Sequence, residues 1–155
     1  MKKIITAILA SLTAGVLLCS CSGGGDSNTA AADLLKAAVD NGKGFEELVS
    51  VEDSDIKYTY DIEKDWYEDF AASVSGNMAY AEEVVFVKAS SDENVDKVKT
   101  ALENRLQSRK DTLQSYAPAE YDKLNKSKVI TNGRYVYLVV CEDSDKALDA
   151  VKKAF

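Results

Sequence analysis

The chain has 155 residues, 46% hydrophobic and 29% charged, which fits one globular domain rather than a disordered chain. Its 26 acidic residues outnumber 19 basic ones for a formal net charge of −7, which argues against nucleic-acid binding because phosphate backbones require clustered cations. It has no histidine, so no Ser-His-Asp or Cys-His nucleophile and no His-containing zinc site can be assembled.

Lys2 and Lys3 form a positive start, and Ile4 to Leu18 is an uncharged, mostly apolar run. About 20 residues are needed to span a bilayer, so this run is short for a transmembrane helix and fits a signal core. Leu18-Cys19-Ser20-Cys21 follows, with a leucine three before Cys21 and a small residue just before it. This pattern resembles the bacterial lipobox. Cys19 does not satisfy it, because Leu18 would occupy the small-residue position. Residues 1–20 are expected to leave as a signal peptide, with Cys21 taking the lipid. The alternative is an ordinary signal peptide with Cys21 free. Residues 21–30 are expected to be a flexible, polar tether, with SGGGDSNTA at 22–30. Loss of Lys2 and Lys3 leaves 17 basic against 26 acidic residues, a net of −9. Such a chain is repelled by anionic headgroups, so covalent lipid must supply the membrane attachment. Cys19 leaves, Cys21 is acylated and Cys141 remains alone, so no intramolecular disulfide is expected.

Residues 31–155 read as a single domain. Leu34, Leu35, Ala38 and Val39 share a helical stripe that Asn41-Gly42 ends. Residues 43–57 read as an acidic loop with one helical turn near Phe45 to Val49. A short helix near 62–67 and then a strand are expected before Ser75-Gly76-Asn77. Val84-Val85-Phe86-Val87 is apolar on both faces and reads as a central strand. Ser90 to Glu93 fits a capping box for a long helix. Its stripe runs through Val95, Val98, Leu102, Leu106, Leu113 and Tyr116, with Pro118 just beyond. Asn132-Gly133 predicts a hairpin turn pairing Thr131 with Arg134, Ile130 with Tyr135 and Val129 with Val136. One hairpin face then holds Val129, Val136, Leu138 and Val140. The other holds Ile130, Tyr135, Tyr137, Val139 and Cys141. Asp143 or Ser144 caps a final helix with Ala147, Leu148, Val151 and Phe155 on its stripe.

The expected fold class is α+β. An antiparallel sheet of about four strands carries the long helix and the C-terminal helix on one face, after a short N-terminal helix.

Ala81-Glu82-Glu83-Val84-Val85-Phe86-Val87-Lys88 leads into the long helix ending Ser115-Tyr116-Ala117-Pro118, and Tyr135-Val136-Tyr137-Leu138-Val139-Val140 closes the pattern. With the lipobox, this resembles the small Firmicutes-type lipoproteins grouped as domain of unknown function 4358, over roughly residues 31–155. The resemblance implies a Gram-positive cell envelope. It brings no established activity and no site residue.

Glu52-Asp53-Ser54-Asp55 and Glu142-Asp143-Ser144-Asp145 hold clustered oxygens, but neither has EF-hand spacing. From Asp53, the positions for Gly and Glu hold Tyr58 and Lys64. From Asp143, they hold Leu148 and Ala154. A solvated loop and a helix cap are expected, with no metal and no cofactor. No pair of acids stands in an apolar setting that marks a catalytic dyad, so no catalytic residue is assigned. Glu142 and Asp143 oppose thiolate formation at Cys141, which is expected to be buried and structural. Arg109 interrupts the long helix's stripe. It either holds a carboxylate ligand or packs its stem while its guanidinium reaches solvent or pairs with an acid. Tyr135 and Tyr137 form a candidate binding surface for a sugar, a peptide or a partner protein. Alternatively they are core, with Tyr58, Tyr60, Trp66, Tyr67 and Phe70 available as cover.

The expected function is that of an extracytoplasmic, lipid-anchored lipoprotein. It would bind an envelope protein or ligand without catalysis. An accessory solute-binding component for a transporter is the second expectation, and a histidine-free carboxylate hydrolase the third.

Overall fold

The computed structural model describes residues 28–155. The signal segment, Cys19 and Cys21 lie outside the described residues. Helix α1 (Ala31–Asn41) ends where expected, with the Gly42 amide donating to the Ala38 carbonyl. Strand β1 (Leu48–Ser50) follows, then a 3-10 turn at Asp53–Asp55 and the short α2 (Ile56–Tyr60). The expected helical turn at 45–49 is thus a strand. Pairing of Leu48 with Ser75 and Val49 with Val74 outweighs a local pattern too short to specify either state.

A 3-10 turn at Lys64–Trp66 leads into β2 (Tyr67–Ser75), which pairs with β3 (Glu83–Ala89). Helix α3 (Asp92–Leu113) is the longest element. Its N-cap is Ser91, not Ser90. The Ser90 hydroxyl instead donates to the Asp65 carbonyl, so the capping box does not form. Pro118 opens a helix that the sequence pattern does not mark, α4 (Pro118–Lys126). Its fixed φ and missing N–H suit the first helical position.

Strands β4 (Ile130–Asn132) and β5 (Tyr135–Val140) form the expected hairpin with a shifted turn. Asn132 pairs with Tyr135, Thr131 with Val136 and Ile130 with Tyr137. Gly133, at φ 55°, takes the left-handed conformation alone, and Asn132 stays in the strand. The register moves by two residues, an even number, so every side chain keeps its expected face. Helix α5 (Ser144–Ala154) is capped by Asp143, whose carboxylate accepts from the Lys146 amide at 3.5 Å.

The five strands form one antiparallel sheet in the order β1-β2-β3-β5-β4. The α+β class and the antiparallel sheet stand as expected, and β1 adds a fifth strand. The placement of the helices is corrected. Val85, Val87, Val136, Leu138 and Val140 pack against Val98, Leu102 and Leu106 of α3 on one face. Val84, Phe86, Tyr135, Tyr137 and Val139 pack under Leu34 and Ala38 of α1 and Ala147 and Val151 of α5 on the other. The sheet is therefore the middle of three layers. β3 is apolar at successive positions, so leaving either face open would expose side chains that each contribute about 1.5–3 kcal/mol when buried.

Candidate functional site

Strand direction gives the sheet two distinct ends. The starts of β2 and β5 and the end of β3 lie together. The end of β2, the start of β3 and the end of β5 lie opposite.

The first end receives the chain's N-terminal segment. The Lys88 ammonium donates to Asn28 Oδ1 at 3.2 Å. The Tyr135 hydroxyl donates to the Thr29 carbonyl, the Thr29 hydroxyl to the Ala154 carbonyl, and the Ala31 amide to the Asp69 carboxylate. Residues expected to belong to a free tether are thus bonded to the domain from Asn28 onward. Glu68 bridges Lys88 at 2.9 Å and Arg134 at 3.0 Å. Hydrogen bonding from Lys88 holds the Glu68 carboxyl below its ordinary range and raises the Lys88 ammonium.

The second end holds an ionic cluster. Glu83 follows the alternation of Val85 and Val87 and so points inward beneath α3. Arg105 lies one helical turn from Leu102 and meets it. Arg105 Nε donates to Glu83 Oε1 at 3.2 Å and Nη2 to Oε2 at 3.2 Å. Glu82 accepts from Lys123 at 2.6 Å, and Lys123 also holds Glu120 at 2.8 Å. The second Glu120 oxygen accepts from the Ala81 amide, which joins α4 to the start of β3. Burial pushes the Tyr60 hydroxyl well above its ordinary range, with the Glu83 charge adding to it. That hydroxyl stands near Glu83 without closing a hydrogen bond.

Arg109 lies one turn beyond Arg105. Its Nη2 donates to the Tyr80 carbonyl at 2.6 Å, and its guanidinium reaches the Met78 carbonyl. Burial, followed by the neighbouring Arg105 charge, pulls Arg109 below its ordinary value. It thus fixes the β2–β3 turn to α3 through backbone carbonyls rather than reaching solvent or an acid, and it also borders a cleft.

That cleft has a volume of about 120 Å³. Glu82, Glu83, Arg105 and Arg109 line it together with Val74, Ser75 and Met78. Two polar atoms of these residues are buried without a partner among the described residues: Glu82 Oε2 and Arg109 Nε. Large apolar side chains stand exposed around this end. Met78 is 79% accessible, Tyr80 40% and Tyr116 58%. Tyr80 is tied to Arg109 through its carbonyl, and Tyr116 lies close enough to Arg109 to act on its charge. A larger, shallow groove of about 410 Å³ runs beside Trp66, with the Lys97 ammonium 5.6 Å over the indole.

Tyr135 and Tyr137 do not form a surface. They are 2% and 3% accessible, because α1 and α5 cover the face that was expected to lie open. Phe155 packs on both rings, and Tyr137 stacks on Phe86 at 5.1 Å. Tyr60, Tyr67 and Phe70 belong to the opposite face, so they do not supply the cover. Cys141 is buried, and burial raises its thiol above the ordinary range. Asp53 binds Lys64 and Tyr67, and Asp143 caps α5, so both acidic words serve local structure. Among the described residues no cluster of three or more His, Cys, Asp or Glu side chains is placed to hold a metal ion. Among them, no helix is long and apolar enough to cross a membrane.

Glu82, Glu83 and Arg105 carry no assignment from the sequence. Two signals carry them: the in-phase spacing of Glu83 with Val85 and Val87, and that of Arg105 with Leu102.

The architecture defines a small α+β domain with a three-layer core and an ionic cleft at one sheet end. A family model described as "Domain of unknown function (DUF4358)" matches residues 43–141, and the chain belongs to that family. No curated protein and no solved structure matches it significantly.

Proposed function

We propose that the protein is a lipoprotein anchored through Cys21 outside the cytoplasmic membrane, and that it acts there as a non-enzymatic binding module. The observation that carries this reading is the polarity of the sheet. The chain enters at the end built from Lys88, Tyr135 and Asp69, while the exposed Met78, Tyr80 and Tyr116 surround the cleft at the other. A lipid at Cys21 would place the first end toward the bilayer. The seven residues of β3 separate the two ends by roughly 20 Å at about 3.3 Å per residue. Exposed aromatic and methionine side chains are the types enriched where proteins bind one another. Hydrolysis through carboxylates is not supported, since Glu82 and Glu83 are each committed to a cation.

A photo-crosslinking residue placed on intact cells at Tyr80, at Tyr116 or at the exposed Lys153 on the other flank tests the polarity. Discrete adducts are expected from the first two positions and not from Lys153. Adducts from Lys153 alone would overturn the reading. The anchor is tested separately. Cys21→Ala should leave the membrane fraction, and wild type should carry lipid mass on Cys21.

A further inference from the structure

We propose that the cleft beneath the β2–β3 turn binds a small zwitterion, an α-amino acid with a side chain no larger than a methyl group. This deepens the preceding reading and rests on its assignment of this end as the binding end.

The argument starts from charge. The four ionic residues lining the cleft, Glu82, Glu83, Arg105 and Arg109, sum to zero. A simple anion or cation would leave the low-dielectric site charged, whereas a zwitterion keeps it neutral. The second point is unfilled bonding capacity. Both Glu83 oxygens are engaged by Arg105. Glu82 spends one oxygen on Lys123 and leaves Oε2 buried and unpartnered. Arg109 leaves Nε–H buried and unpartnered. Arg105 spends Nε and Nη2 on Glu83 and also lines the cleft. Each buried polar group without a partner is costly, and native interiors hold few of them. An acceptor and a donor of opposite charge, carried by residues that line one cleft, suit a ligand with both kinds of group once the turn above them moves. Its ammonium would donate to Glu82 Oε2, and its carboxylate would accept from Arg105 and Arg109.

The third point is size. A volume of about 120 Å³ admits a head group and little more, and Val74 and Met78 supply an apolar wall for one methyl. Glu82 Oε2 and Arg109 Nε are shielded from solvent as the domain stands, so entry requires the 76–80 turn to shift. That turn is held to α3 through the Arg109 bonds to the Tyr80 and Met78 carbonyls, and Met78 stands at its outer surface.

The test uses the full mature chain in detergent micelles. Glycine and alanine are titrated by calorimetry and by saturation-transfer NMR. Acetate and methylammonium serve as half-ligands, and leucine as the oversized control. Saturable binding of glycine or alanine at millimolar concentration or below is expected, about tenfold or more tighter than either half-ligand. Leucine should not bind. Glu82→Gln should weaken glycine at least tenfold while acetate binds no more weakly than before, since the site then carries one net positive charge. Met78→Trp alters an exposed side chain, so it should leave the fold intact and block the cleft. The proposal is overturned if neither amino acid saturates, as when water alone fills the cleft. It is equally overturned if acetate or leucine binds as tightly as glycine, or if Met78→Trp leaves binding unchanged. Adducts at Tyr80 and Tyr116 without amino-acid binding would sink this proposal and leave the binding-end reading standing.

Discussion

Arg105→Met separates the roles of burial and charge at the cleft. Glu83 has a side chain only 3% accessible, and the Arg105 side chain is 26% accessible. Removing Arg105 strands the Glu83 carboxylate under α3. Breaking a buried pair from one side costs about 3–5 kcal/mol. Arg109 stays close enough to share the Glu83 field, and Arg105 is partly solvated, so the loss should sit near 3 kcal/mol. With a urea slope of about 2 kcal/mol/M, the midpoint should fall by roughly 1.5 M. The double variant Arg105→Met with Glu83→Met removes both charges and keeps the volume. It should recover most of the loss, because apolar replacement of a buried pair is often neutral. A single-variant loss below about 1 kcal/mol would show that water reaches Glu83 and would refute the argument. A double variant no better than the single would place the effect in the packing of the Arg105 stem instead.

Tyr137→Ala removes a ring stacked on Phe86 and packed against Phe155 and should cost about 3–5 kcal/mol in urea unfolding; a loss under about 1 kcal/mol would mean that the α1–α5 cover is absent. Cys141 should resist thiol reagents at neutral pH and react only as the domain unfolds, and native labelling at the unfolded rate would contradict its burial. Glu68 has a folded pKa below its unfolded value, so its contribution is present above about 4.5 and is lost as pH falls through the folded value. Urea midpoints for wild type and Glu68→Gln should therefore converge on acidification below that point. A constant gap would remove Glu68 from the pH dependence.

Periodicity made most of the domain readable. The two faces of the hairpin were correct residue by residue, even though the turn closes at Gly133-Arg134, because an even register shift conserves sidedness. α3 and α5 were visible because their stripes run through several turns. β1 and α4 were not. β1 spans three residues and owes its conformation to β2, while α4 has only Leu124 fully buried and is held by Glu120 and Lys123 reaching the start of β3. Neither carries enough apolar residues to reveal a period. The choice of face was misread for a related reason. Both hairpin faces are apolar, so both need cover, yet α5 and α3 carry stripes that either face would accept. What assigns α5 to the tyrosine face is its pairing with α1 and the reach of Phe155 onto Tyr135 and Tyr137.

The cleft was hidden by a different circumstance. The partners of Glu82 and Glu83 are distant along the chain. The ion pairs of Glu83 with Arg105 and Glu82 with Lys123 span 22 and 41 positions. Such a cluster is a poor means of stabilising a fold, since apolar residues in its place would often serve as well. Adjacent glutamates are met from different helices, Glu83 by α3 and Glu82 by α4, and they still leave one carboxylate oxygen unfilled. An arrangement built for stability alone would have closed that bond within the domain. Its remaining open, beside an unpaired Arg109 Nε–H and beneath a turn latched by the same arginine, is the strongest physical reason to seek a ligand at this end of the sheet.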